Sequence, residues 1–265
     1  MRWLVRIFLF LLILPLAYFA VFPQIVHCQL IEYTSDFQKF ALGVWVDKNT
    51  PEHQRVYLLF EIHQARKRLA TLWSSPPQSQ ATVIFCQTPE QYERYCHESE
   101  GAGCSLGTPW GDSWIVINPY GRNPDVLAHE MCHDELYTRL GWLTTQRQIP
   151  QWFNEGLAMM IDQRFTTATD SLHRYEEFRD HWQQQSHGQQ IVLELAELES
   201  LKGFFSGGTE RVMLAYMTAG REVSRWLAIV GRAGLRKLVE AVRAGEDFDA
   251  VYQRLEREAK TVHTK

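Results

Sequence analysis

The segment Asn123-Pro124-Asp125-Val126-Leu127-Ala128-His129-Glu130-Met131-Cys132-His133 decides how the rest of the chain is read. Asn123 is a strong N-cap, Pro124 suits the first helical position, and Gly141 suits the C-terminal stop. These signals predict a helix signed at both ends. On it His129 and His133 lie four residues apart, one turn along a single face. Two imidazoles so placed can share one Zn²⁺, with Glu130 projecting beside the ion toward its open position.

A catalytic zinc takes three protein ligands and a water. A third histidine in the metzincin pattern would need glycine at Leu136 and histidine at Arg139, so that arrangement is excluded. The better candidate lies in Pro150-Gln151-Trp152-Phe153-Asn154-Glu155-Gly156-Leu157-Ala158, where Pro150 opens a second helix and Glu155 follows His133 by 22 positions. A return loop from Gly141 to Ile149 would fold the two helices antiparallel and bring Glu155 to the metal.

With both motifs quoted, the chain resembles the gluzincin metallopeptidases, and most closely the small bacterial peptidase MA-like domains. The likeness covers about Thr82 to Leu255 in layout, but its specific part is the two motifs. It implies zinc on His129, His133 and Glu155, with Glu130 as general base. It also implies that the strand ahead of the zinc helix, Trp114-Ile115-Val116-Ile117-Asn118, borders the cleft and receives substrate as an added strand, as an exposed sheet edge can. Tyr216 is the residue that the resemblance offers as donor to the oxyanion. Three departures stand out. The His-to-Glu spacing is longer than in the large zinc aminopeptidases. Their Gly-x-Met-Glu-Asn strand motif is missing before Asn123, which argues against an exo-aminopeptidase. Met159 stands where thermolysin's pattern has an Asp supporting a zinc histidine, and Asp162 is the available replacement.

The 265 residues, 45% of them hydrophobic, suffice for one domain with a sizeable core, in two lobes. A net charge of −4 gives no reason to propose nucleic acid as a partner. Peptide or protein substrate is the partner expected.

Ile7 to Phe22 is an uncharged apolar run preceded by Arg2 and Arg6 and followed by Pro23. It is read as an uncleaved signal anchor, residues 1–26, that spans a bacterial inner membrane once and leaves the remainder facing the periplasm. Cleavage and secretion is the competing reading. Residues 27–50 become a juxtamembrane segment and residues 51–265 the metallopeptidase domain, with an α+β lobe (51–141) and a helical lobe (142–265).

Of the five cysteines, Cys96 and Cys104 flank a short polar loop and are the expected disulfide, with Cys86 able to compete for either. Cys132 reads as a small buried hydrophobe beside the site.

Elsewhere, Phe40 to Val46, Ala81 to Cys86 and Ser113 to Asn118 read as strands, and Gly101 to Gly107 as a Gly-rich loop. Pro51 to Leu72 and Thr88 to Tyr95 read as helices. Ala158 to Phe165 is expected to complete the ligand helix, and Phe204-Phe205 to sit in a loop at the specificity wall. The fold class expected is α+β: a small sheet with helices, the zinc helix at the cleft, a mostly helical C-terminal lobe, and an N-terminal transmembrane helix. The expected activity is that of a membrane-anchored zinc endopeptidase. The alternative is a tethered, peptidase-like binding module with a structural or vestigial zinc site.

Overall fold

Five short strands build a mixed sheet: β1 (Phe37–Ala41), β2 (Val44–Asp47), β3 (Thr82–Phe85), β4 (Gly103–Gly107) and β5 (Ser113–Ile117). In this computed structural model, which describes Trp3, Arg6, residues 17–98 and residues 101–263, the spatial order is β1-β2-β3-β5-β4. β2, β3 and β5 run parallel, and antiparallel partners flank them, β1 on β2 and β4 on β5. Parallel neighbours require crossovers, and helices supply them: α1 (Pro23–Gln29) precedes the sheet, α2 (Glu52–Trp73) joins β2 to β3, and α3 (Pro89–Cys96) follows β3.

Strand alternation divides the core. Val83, Phe85, Ile115 and Ile117 face the larger cluster with Leu58, Ile62 and Leu69 of α2, while Ile84, Trp114 and Val116 face a smaller one with Tyr92 and Tyr95 of α3. Each aliphatic side chain buried this completely contributes about 1.5–3 kcal/mol. Beyond β5 the described chain is helical: α4 (Pro124–Leu140), α5 (Trp142–Gln148), α6 (Gln151–Ala158), α7 (Ser171–Gln185), α8 (Leu201–Phe205), α9 (Gly208–Arg243) and α10 (Phe248–His263). α9 is kinked where Gly231 takes φ 65° and ψ −179°, and its two halves pack on different partners. The first half packs on α6 and α7, and Arg236 in the second donates to the carbonyl of Trp73, at the end of α2.

Several expectations are corrected. The anchor reading of residues 1–26 is overturned: among the described residues no helix is long and apolar enough to cross a membrane. The single-pass inner-membrane placement falls with it. Residues 7–16 of that run lie outside the described residues. Its end is broken at Phe22, because Pro23 cannot donate to a continuing helix, and α1 then starts afresh. α1 buries Ile25 and Cys28 in the smaller core. Residues 27–50 contain the β1–β2 hairpin. Phe40 to Val46 is two strands rather than one because Gly43, at φ 67°, turns the chain. Gly101 to Gly107, expected to be a loop, contains β4. Ala158 to Phe165 does not continue the ligand helix, which ends at Ala158. Phe204 and Phe205 belong to α8 rather than a loop.

Cys96 and Cys104 form a disulfide that ties the end of α3 to β4. Cys28, Cys86 and Cys132 are free and buried.

Candidate metal centre

α4 is placed by its own sequence and by its surroundings. The Asn123 side chain accepts from the backbone N–H groups of Asp125 and Val126, both at 2.9 Å, and Pro124 occupies the first turn. Residues 126–136 are all buried, so the helix is held on every side between the sheet, α2 and α6. His129 and His133 therefore sit at fixed positions, their rings 4.8 Å apart at 82°.

α6 is short, and its approach depends on Gly156. A Cβ there would stand 2.6 Å from the Ala219 carbonyl oxygen and from Val223 Cγ2, so a side chain would force α6 off α9. The stretch Gly141 to Ile149, expected to be a return loop, contains α5 instead; the return is still made, and Glu155 reaches the histidines.

His129 Nε2 lies 3.2 Å from Glu155 Oε2, and His133 Nε2 lies 3.7 Å from Glu155 Oε1. Zinc bonds of about 2.0–2.2 Å to nitrogen and carboxylate oxygen put donor atoms about 3.3 Å apart at a tetrahedral angle. The observed spacings bracket that value. The three donor atoms all fall within 4.8 Å of one another, and the group could hold a metal ion.

The second nitrogen of His133 is held by a hydrogen bond, and that of His129 faces a carboxylate. His133 Nδ1 is 2.9 Å from Asn154 Oδ1, and an amide oxygen can only accept, so Nδ1 donates to it and Nε2 is the nitrogen turned toward Glu155. His129 Nδ1 stands 3.3 Å from Asp162 Oδ2. Asp162 is itself gripped by Arg164, whose Nε is 3.0 and 2.9 Å from the two carboxylate oxygens. Gln151 Nε2 donates to Glu155 Oε1 at 2.7 Å. This is the arrangement of a ligand set whose orientations are held from outside.

The electrostatics favour a cation. Burial opposes charge on His129, yet Asp162, Glu155 and Glu130 outweigh it and raise the imidazole to about 10. Burial raises the Glu130 carboxyl, and both histidines pull it back. Glu130 and Glu155 beside the two imidazoles, with Asp162 held by Arg164 behind them, make a carboxylate-lined pocket that a divalent ion would suit.

The cleft in front of these groups has a volume of about 600 Å³. One wall is the chain from Gly101 to Ser105, including the start of β4, and the other is formed by Phe205, Val212, Met213 and Tyr216. Tyr216 lies in the cleft, its ring centroid 6.4 Å from that of His129, with burial and then the Glu155 and Glu130 carboxylates holding its hydroxyl well above the ordinary value. Trp114 to Asn118 do not line the cleft. β5 is paired on both sides, by β3 and β4, so it has no edge to offer; β4 is the edge strand. Asn118 instead fastens the neighbouring loop, donating to the Gly101 carbonyl at 3.0 Å.

Among the cleft residues that a sequence reading misses are Glu98, Tyr137, Asn154, Gln151 and Arg164. Tyr137 had a legible signal, since it follows His133 by four and so shares its face. Burial, then Glu155, Glu130 and Asp134, push its hydroxyl up to about 12. Arg164 had none, since it comes from a turn after the helix.

No protein-family model matches the chain, and no curated protein matches it.

Proposed function

We propose that this chain is a zinc-dependent endopeptidase of the gluzincin type. The observation that carries the reading is the convergence of His129, His133 and Glu155 at the floor of an open cleft, with Glu130 on the same helix beside them. Two histidines and a glutamate are a donor set suited to catalytic zinc, and they leave one position open. Bound zinc would lower the pKa of a water to about 7 and polarise a scissile carbonyl.

The chain's own groups supply the rest. Glu130, buried and with its carboxyl raised, is suited to accept a proton from water and return it to a leaving amine. Tyr216 keeps its hydroxyl proton and so can donate to an oxyanion. β4 presents the unpaired side of the sheet to the cleft, where an extended peptide could satisfy its backbone. The absence of a Gly-x-Met-Glu-Asn motif before Asn123 favours internal cleavage over removal of N-terminal residues.

The decisive experiment pairs metal analysis of the purified protein with cleavage of an unfolded protein substrate, with and without chelator. Chelator-sensitive cleavage with one equivalent of zinc is expected. One equivalent of tightly held zinc with no cleavage of any peptide would leave the peptidase-like binding module as the better reading.

A further inference from the structure

A second pocket, of about 140 Å³, lies against the turn that carries Asp162, with Met160, Ile161 and Gln163 in its wall. Three arginines line it: Arg68, Arg174 and Arg232. We propose that this pocket binds a small organic oxyanion, a carboxylate or a phosphate monoester with a short apolar substituent.

The charges carry the argument. Arg68 is paired with Asp125. Arg174 is only 4% exposed, and among the described residues neither it nor Arg232 has a carboxylate within ion-pair distance. Arg174 spends one nitrogen, Nη1, on the carbonyls of Met159 (2.9 Å) and Asp162 (3.2 Å). The rest of its planar fork remains for the pocket. A buried guanidinium without a counter-ion is costly, and burial does hold Arg174 below its ordinary pKa; Asp162, Glu177 and Asp125 oppose the shift, and Arg68 adds to it. An oxyanion would relieve that cost, and the guanidinium fork matches carboxylate and phosphate oxygens.

The surroundings fit the same ligand. Arg174 lies in the first turn of α7, whose N-terminus is capped by Asp170 through the His173 N–H, and Thr169 and Ser171 add hydroxyls to the pocket wall at that end. Leu72, Met160 and Leu227 supply an apolar side. Such a wall suits an organic anion better than a bare inorganic one.

The test is calorimetric titration of the full chain with sodium hexanoate and with sodium phosphate. Both are run in excess chelator, so that no metal in the cleft can capture the anion and the result is independent of the peptidase reading. Saturable binding of at least one probe is expected, and the tighter probe identifies the carboxylate or phosphate class. Arg174→Gln is expected to abolish it. If that variant fails to fold, Arg232→Gln carries the test alone, because Arg232 is exposed. It is expected to weaken binding about tenfold, a loss of about 1.4 kcal/mol. No saturable binding of either probe, or binding unchanged in Arg232→Gln, would overturn the proposal.

Discussion

Asp162 Oδ2 stands 3.3 Å from His129 Nδ1, and the same carboxylate is held by the Arg164 guanidinium. A carboxylate beside that nitrogen favours positive charge on the ring and makes its other nitrogen a better donor. Asp162→Asn should therefore weaken zinc binding about 10- to 100-fold without removing any ligand. Competition against a chelator of known affinity measures this; an unchanged constant would show that Asp162 does not act through His129.

Glu130→Gln should keep its zinc and lose hydrolysis by about 10²- to 10⁴-fold, the usual contribution of a positioned base. His133→Ala or Glu155→Ala should lose the metal itself. Stoichiometric zinc in His133→Ala would contradict the ligand set.

Two phenols compete for the role of oxyanion donor. Removal of one such donor costs about 10²- to 10³-fold in kcat. Tyr216→Phe should show that loss with KM little changed, while Tyr137→Phe should cost far less, because it is the Tyr216 ring that stands 6.4 Å from that of His129. Equal losses would mean that neither tyrosine acts alone.

Gly156→Ala should destabilise the fold by about 1–3 kcal/mol, as other overpacked cores do. The added methyl meets the backbone of α9 at Ala219, which cannot rotate away. Urea denaturation should register the loss, and zinc affinity should fall with it because Glu155 is the adjacent residue.

The helix pair α9 and α10 should respond to acid. Arg225 beside Glu256 is the largest influence lowering that carboxyl from 4.5 to about 2; burial opposes it and Lys260 assists. A depressed folded-state pKa contributes stability that is fully present above the unfolded value of 4.5 and disappears as pH falls toward 2. Acid unfolding curves should thus be steeper between pH 4.5 and 2 in the native chain than in Glu256→Gln. Parallel curves would assign the acid response to other carboxylates.

The helix that carries His129 and His133 is legible because its signals are local: Asn123, Pro124 and Gly141 each act within one turn. The placement of the two histidines on one face follows from the 3.6-residue period. β4 was not legible, because Gly103 and Gly107 lack strand propensity and the strand exists only through pairing with β5. Its glycines have a spatial reason that no sequence window holds. A Cβ on Gly103 would crowd Val126 and Glu130. The hydrophobic content of Ser113 to Ile117 signals a strand but not its neighbours, and pairing by β3 and β4 on both sides is decided by the sheet as a whole. The turn after Ala158 is likewise decided at a distance, since Arg174 of α7 captures the carbonyls of Met159 and Asp162. After the N-terminal run, apolar composition alone does not tell a bilayer from a protein core, and Ile25 and Cys28 of α1 are buried in the smaller core.

The bend at Gly231 has a consequence for how the cleft can work. Because α9 reaches from Tyr216 at the site to Trp73 behind the sheet, it acts as a splint across both halves of the molecule. Prising the halves apart would mean tearing one arm of this kinked helix from its seat. Selection among substrates should accordingly be made at the rim, by Phe205 and the approach to β4, and small-angle scattering should report the same envelope with and without a bound inhibitor.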